Sequence, residues 1–247
     1  LAATVRKRME TLRFEDAAHY FGRLTTSREE AQTLIEEVTI NETYFFRNTS
    51  HFDCLRDHLF PEIVRRGQAA ARREVAMWSA ACSTGEEPYS LAILARQVFP
   101  RDWTIRIHAS DIDSKVLRFA ENGVYPRMRV ARTPPAYMDI VTRHLRGADD
   151  GCAFDAEIKS LVNFKRESIF ESSLRNLDLI FCRNVMIYFD QAGVARMADV
   201  FNASLRDEGV VIIGHSELLR AKPDTLHYCR VGGVSLYRRR QAARKAA

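Results

Sequence analysis

Two rhythms of apolar positions alternate along most of this chain. From residue 75 onward, short apolar or alternating runs give way to runs with helical spacing, and the exchange repeats. Val75 to Trp78 predicts a buried strand, and Leu91, Ile93, Leu94 and Val98 a helix behind it, with Pro88 suited to the first turn. Thr104 to His108 predicts a second strand, followed by a helix through Val116, Leu117 and Ala120. Leu161 to Lys165 and the strongly apolar Leu177 to Cys182 are a third and a fourth strand. Val194, Met197, Ala198, Phe201 and Leu205 mark an amphipathic helix ending at Gly209, and Val210 to Gly214 a fifth strand. Leu226 to Arg230 and Val234 to Arg238 read as a hairpin around Gly232-Gly233. Repeated strand–helix units predict a mostly parallel sheet covered on both faces, with a ligand crevice at the strands' carboxyl ends.

Two regions break this order. Residues 1–38 predict a small helical domain, with Val5, Met9 and Leu12 on one face of its first helix. Ser27 with Glu30 forms a capping box for its third. Residues 39–247 are the main domain, entered through a helix from Ser50 to Arg66 that Gly67 ends. Residues 126–160, rich in Pro and Gly, predict an inserted subdomain between the second helix and the third strand.

The candidate chemistry begins after the first strand. Ala80-Ala-Cys-Ser-Thr-Gly85 is a run of small residues, as a tight loop under a ligand requires, and Glu86-Glu87 open the helix. A loop for a dinucleotide's phosphates presents bare backbone N–H groups. Two carboxylates there would repel phosphate and tolerate an adenosine carrying a cationic amine, a description that S-adenosylmethionine fits. Acidic residues in a first helical turn also complement the helix dipole, which is the plain alternative. The second strand ends in Asp111, and an acidic residue ~20 positions beyond such a loop is where a ribose hydroxyl pair is bound. Asp113 reads as the N-cap of the next helix.

Composition narrows the classes. Hydrophobic content of 46% and charged content of 28% over 247 residues describe an ordinary globular chain. No apolar run approaches the length of a membrane span, so no membrane insertion is expected. The start lacks an apolar signal core and a Met, so the chain is expected to begin within a longer protein. Five of the 37 basic residues lie in the last ten positions and supply the whole net charge of +5. They read as a solvated tail, and no basic–aromatic interleaving in the body suggests nucleic acid. The 5 cysteines include no C-x-x-C pair, which predicts reduced thiols, a cytoplasmic setting and no metal site.

Five ordered segments then carry a resemblance. Thr39-Ile-Asn-Glu-Thr-Tyr-Phe-Phe-Arg47, Ser83-Thr-Gly-Glu-Glu-Pro-Tyr-Ser90, Ser110-Asp-Ile-Asp113, Phe181-Cys-Arg-Asn-Val-Met-Ile-Tyr-Phe189 and Gly214-His-Ser-Glu217 resemble the chemotaxis receptor methyltransferases (CheR). The resemblance implies an α/β fold: a Rossmann-like class I methyltransferase sheet with a small N-terminal helical domain and an inserted β-rich subdomain. It implies S-adenosylmethionine as cofactor, S-adenosylhomocysteine as product, and glutamate side chains on bacterial chemoreceptors as substrate. By match to the family's motifs, Asn41, Thr43 and Arg47 are cofactor contacts, as are Glu86, Asp111, Arg183 and Asn184. Ser168 and Ile169 stand where the family often has an asparagine and an apolar residue against the adenosine. Arg47 and Tyr188 are the candidates for positioning the reacting groups, whereas Phe189 and His215 are read as structural.

The implied chemistry is an in-line displacement by a carboxylate oxygen on the sulfonium methyl. A glutamate with an ordinary pKa of ~4.3 is already ionised at neutral pH, so no general base is required. The implied partners are chemoreceptor cytoplasmic helices, which Arg6, Lys7, Arg8 and Arg13 of the first helix are placed to meet. A receptor-tail peptide at the insert is a second. The alternatives are a non-catalytic S-adenosylmethionine-binding sensor or scaffold, and a methyltransferase of another substrate class.

Overall fold

A computed structural model describes residues 2–38, 42–149 and 151–240. The chain forms two compact units, Leu1–Glu42 and Thr43–Ala247. Among the described residues the first holds three helices: α1 (Ala2–Leu12), α2 (Ala17–Thr26) and α3 (Arg28–Val38). Asp16 caps α2 by accepting from Ala18 and His19 N–H. The capping box before α3 is only half formed. Ser27 Oγ accepts from Glu30 N–H at 3.3 Å, but the Ser27 N–H already serves the Arg23 carbonyl that ends α2. The Glu30 carboxylate is therefore released inward. It accepts from Arg8 Nε at 2.9 Å and from Tyr20 Oη at 2.9 Å, and its second oxygen accepts from Arg8 Nη2. Tyr20 and Glu30 are the buried residues among those described in this unit. Arg8 thus belongs to its interior, while Arg6, Lys7 and Arg13 are exposed.

The second unit opens with one long helical run: α4 (Thr49–Cys54), a π turn (Leu55–Leu59) and α5 (Phe60–Ala69). The π turn has a local cause. Pro61 has no N–H for an i−4 carbonyl, and the Phe60 N–H reaches back to Leu55 instead. Gly67 does not end this helix; it packs against the Trp103 ring, which a Cβ would meet at 2.4 Å.

Strands β1 (Glu74–Ala80), β2 (Thr104–Asp111), β6 (Val162–Arg166), β7 (Leu177–Cys182), β8 (Leu205–Ile213), β9 (Leu226–Val231) and β10 (Val234–Arg239) form one sheet. Their order is β6-β2-β1-β7-β8-β10-β9, with the first five parallel and β10 antiparallel to both β8 and β9. This is a mostly parallel, Rossmann-like α/β sheet, as the strand–helix repeat predicts. Helices α6 (Glu86–Val98), α7 (Ser114–Asn122) and α11 (Gln191–Ser204) complete the crossovers. Because side chains alternate, Val75, Met77, Leu179 and Phe181 face the core under α4 to α6. Trp78, Ala80, Ile180 and Cys182 face the core under α11. All six residues of β7 are buried, as a central parallel strand requires.

Two boundaries differ from the sequence reading. Helix α11 stops at Ser204 rather than Gly209, because Leu205 already pairs with Leu177 and a bulge at the start of β8 absorbs Glu208 in a left-handed conformation, φ +60°. The basic tail begins inside the sheet. Arg238 is buried in β10 and paired with Glu62 and Glu208, while Arg239 donates to the Leu205 carbonyl.

The segment between α7 and β6 carries β3 (Val124–Tyr125), α8 (Arg127–Val130), α9 (Pro135–Arg143), β4 (Leu145–Ala148), β5 (Gly151–Phe154) and α10 (Ala156–Ser160). Its three strands make a separate antiparallel sheet, β3-β5-β4.

Candidate functional site

Strand order places the carboxyl ends of β2, β1 and β7 side by side, and the candidate residues gather there. The loop after β1 turns sharply, with Ala81, Ser83 and Gly85 at φ +57°, +49° and +92°. Gly85 is required twice over. Its φ is left-handed, and a Cβ would meet the Ala120 Cβ at 2.7 Å and the Tyr125 hydroxyl at 2.8 Å. The Tyr125 hydroxyl donates to the Thr84 carbonyl at 2.7 Å, so the insert holds this loop from outside.

Asp111, buried at the end of β2, ties the loop down. One carboxylate oxygen accepts from Ser83 N–H at 2.8 Å and the other from Asp113 N–H at 3.0 Å. Burial raises its pKa above the ordinary value, and those two N–H bonds hold the rise back. Asp113 caps α7, accepting from Lys115 N–H at 2.7 Å.

Glu86 and Glu87 do not stand free over the loop as the sequence reading pictured. Glu86 is fully buried; one oxygen accepts from Thr84 Oγ1 at 2.6 Å and the other from Arg129 of the insert at 2.8 Å. Glu87 accepts from Ser79 Oγ at 2.7 Å and from Arg183 Nε at 2.7 Å. Each carboxylate has its own guanidinium, so repulsion of phosphate is offset and no longer selects the ligand. Arg183 itself is an interior residue. Its guanidinium lies over the Phe52 and Phe181 rings and donates to the Arg47 carbonyl at 2.5 Å.

The segment that carries Thr43 and Arg47 is pinned by its aromatics. Phe46 stacks on Tyr137 at 4.1 Å between centroids, and Phe45 meets Tyr125 and Phe154 edge-on. Phe46 N–H donates to Ser90 Oγ, which donates in turn to the Glu86 carbonyl, so this segment docks on the first turns of α6. Arg47 and Thr43 are half-buried. Asn41 lies outside the described residues.

After β7 the chain enters a bend with Asn184 at φ +60°, then a 3-10 turn over Met186–Tyr188. Tyr188 and Phe189 are both exposed, at 43% and 39%, so neither is a core residue, and the packing expected of Phe189 is limited to an edge-on contact with Phe170. Ser168 caps the short turn after β6, and Ile169 is buried with Trp78 and Ala80 on the α11 side. The Glu167 N–H bonds to the Asp111 carbonyl, which keeps this turn beside the end of β2. His215 is exposed, and its ring stacks on the buried His51 ring at 4.6 Å. Burial, followed by the charge of Arg183, pushes the His51 pKa down to about 3.

The structure thus brings Thr43, Arg47, Glu86, Asp111, Arg183, Asn184 and Tyr188 to one end of the sheet, with Ser168 and Ile169 at its β6 side. Sequence reasoning missed Glu87, Arg129, Tyr125 and Glu217 as supports of this site. Glu87 and Glu217 lay inside quoted motifs; Arg129 lay in the insert, where nothing in the local pattern marks it. Among the described residues no cluster suited to a metal ion is present, and no helix is long and apolar enough to cross a membrane.

Comparison with known proteins agrees with this geometry. The family described as CheR methyltransferase, SAM binding domain, matches residues 41–232. The chain is 39% identical over 216 residues to chemotaxis protein methyltransferase 2 of Pseudomonas aeruginosa, covering 85% of this chain and 75% of that protein. It is 35% identical over 193 residues to the chemotaxis protein methyltransferase of Borreliella burgdorferi, covering 76% and 68%. The Escherichia coli chemotaxis protein methyltransferase is 34% identical over 222 residues, covering 85% and 73%.

Proposed function

Because the chain belongs to the CheR methyltransferase family, we propose that it converts glutamate side chains of bacterial chemoreceptors into methyl esters. S-adenosylmethionine is the cofactor of this family, and when bound it supplies the electrophilic methyl group. The donor set suits it. The Asp111 carboxylate, with about four acceptor positions, accepts from backbone N–H groups that include those of Ser83 and Asp113 and has acceptor capacity left for a ribose hydroxyl. Arg47 offers a planar guanidinium to a carboxylate, and Thr43, Glu86, Ser168, Ile169, Arg183 and Asn184 complete the surround. Asn41 belongs to the same set by its motif alone.

The observation that carries the reading is the convergence of Asp111, the small-residue loop, Arg47 and the exposed Tyr188 at one sheet end. The chain's own part is then positional. Arg47 and Tyr188 orient the reacting groups, and the paired Glu86–Arg129 and Glu87–Arg183 keep the floor of the site rigid. A substrate glutamate arrives ionised, so no side chain need take a proton from it.

The test is transfer of labelled methyl to receptor-bearing membranes, followed by mild alkali. Carboxyl methyl esters release volatile methanol; methylated amines or nucleic acids release none. Label that stays alkali-stable, or that survives replacement of the receptor's glutamates by alanine, would sink the substrate assignment. Cofactor binding with no transfer to receptors would turn the reading toward a sensor or scaffold.

A further inference from the structure

Glu217 closes the Gly214-His-Ser-Glu217 turn with its N–H on the Gly214 carbonyl at 3.0 Å. Each hydrogen bond to its carboxylate comes from backbone. One oxygen accepts from Val185 N–H and Met186 N–H, both at 2.8 Å. The other accepts from Asn184 N–H at 3.0 Å and Gly214 N–H at 2.7 Å. Gly214 is what lets the carboxylate in, since a Cβ there would meet its oxygen at 2.6 Å.

The three N–H groups on the far side belong to the bend that leads into Tyr188. Val185 and Met186 are buried in the core under α11, and the Tyr188 and Phe189 N–H groups close the turn on the Val185 and Met186 carbonyls, but none of these contacts uses the three N–H groups that Glu217 takes. Asn184 is left-handed, and the 3-10 turn after it has no side-chain cap. Successive N–H groups pointing into one concavity repel one another unless an anion fills it. We propose that Glu217 is a positioning residue for methyl transfer: its carboxylate fixes the 184–188 bend and so sets where Asn184 and Tyr188 stand. This rests on reading that bend as part of the methyl-transfer site.

Glu217→Gln tests it, because an amide nitrogen cannot accept from N–H. Two of the four bonds are lost and a donor is set against donors. The kcat should fall about 10- to 100-fold, as displacement of a positioning group by about 1 Å does. The Kd for S-adenosylhomocysteine should rise by less than the kcat falls, about three- to tenfold, because Asn184 shifts while Asp111 and Arg47 are untouched. Glu217→Asp, with both oxygens on a shorter stem, should recover part of the rate. If the glutamine variant does not fold, the aspartate variant should show the same pattern to a smaller degree. Combined with Tyr188→Phe, the losses should be non-additive, because both act through one side chain. Amide exchange at 184–186 should quicken while β7 stays protected. Unchanged kcat, additive losses, or unchanged exchange in a folded variant would overturn the proposal. A wild-type protein that methylates no receptor would defeat the substrate reading alone, and the exchange measurement would then decide whether the clamp exists.

Discussion

The two units of this protein are built on opposite principles. The helical unit buries Tyr20 and Glu30, with the Arg8 guanidinium closing on the carboxylate. The sheet unit buries a continuous apolar core on both faces; two of its buried ion pairs, Glu86–Arg129 and Glu87–Arg183, sit at the site, while Arg72–Asp178 and Arg238–Glu62 lie away from it. A unit of about forty residues cannot enclose enough apolar area to be stable on packing alone, so a hydrogen-bonded ion pair becomes the organising contact. The larger unit has apolar packing to fold on, so some of its buried pairs can stand at the site. The same kind of bond therefore organises the whole of one unit, and in the other it adds site geometry to stability.

That contrast can be broken in graded ways. The largest effect should come from Arg183→Ala, which leaves Glu87 buried without its cation. Breaking one partner of a buried pair costs about 3–5 kcal/mol, and urea unfolding of the sheet unit should move by that amount. A loss below about 1 kcal/mol would mean that water reaches Glu87 and the pair is not buried in solution. Next comes Glu30→Ala. Removing the acceptor of two Arg8 bonds should cost the helical unit about 2–3 kcal/mol, read as faster amide exchange in α2 with β1 unchanged. If β1 loosened equally, the two units would be one cooperative body and the contrast would fail.

Acid should separate the units at a different pH. The unfolded chain takes a proton on His51 near pH 6.5, which the native imidazole refuses until about 3. Stability of the sheet unit is full above that window and falls as pH drops through it, by up to about 1.4 kcal/mol per pH unit for one proton. Glu30 has the opposite origin: the Arg8 bond holds its pKa below the ordinary value. Its contribution is present above the ordinary carboxylate range, ~4.3, and is lost only below it. Between pH 6 and 5 the sheet unit alone should weaken, and His51→Phe should flatten that slope. Equal weakening in both units across this interval would contradict the assignment. The smallest effect belongs to Ser27→Ala. With only half a capping box to lose, α3 should give up about 0.5–1 kcal/mol, measured by exchange at its first turn.

Much of this architecture was legible in the chain because strand and helix periods are local. Five parallel strands, the hairpin and the Asp113 cap follow from alternation, small-residue loops and one N-cap. The α11–β8 boundary was misplaced because Gly209 looks like a helix stop, while cross-strand pairing of Leu205 with Leu177 overrode it. Gly67 misled in the same way: it is glycine because the ring of Trp103, 36 positions later, packs against it, and nothing local in the sequence shows that contact. Motif order also identified which residues meet at the carboxyl end of the sheet.

What the sequence determined by itself, then, was the order of elements, the family and the residue types at the site, because each is written in spacing and chemistry along the chain. What only the tertiary structure decided was how the charges are spent. Glu86 and Glu87 face inward to arginines 43 and 96 positions away, and Glu217 faces a bend some 31 to 33 positions before it. No local pattern fixes such partners. They are chosen by which loops the parallel sheet brings to the same end, and by the cost of burying a carboxylate without a donor, which only the folded chain can meet.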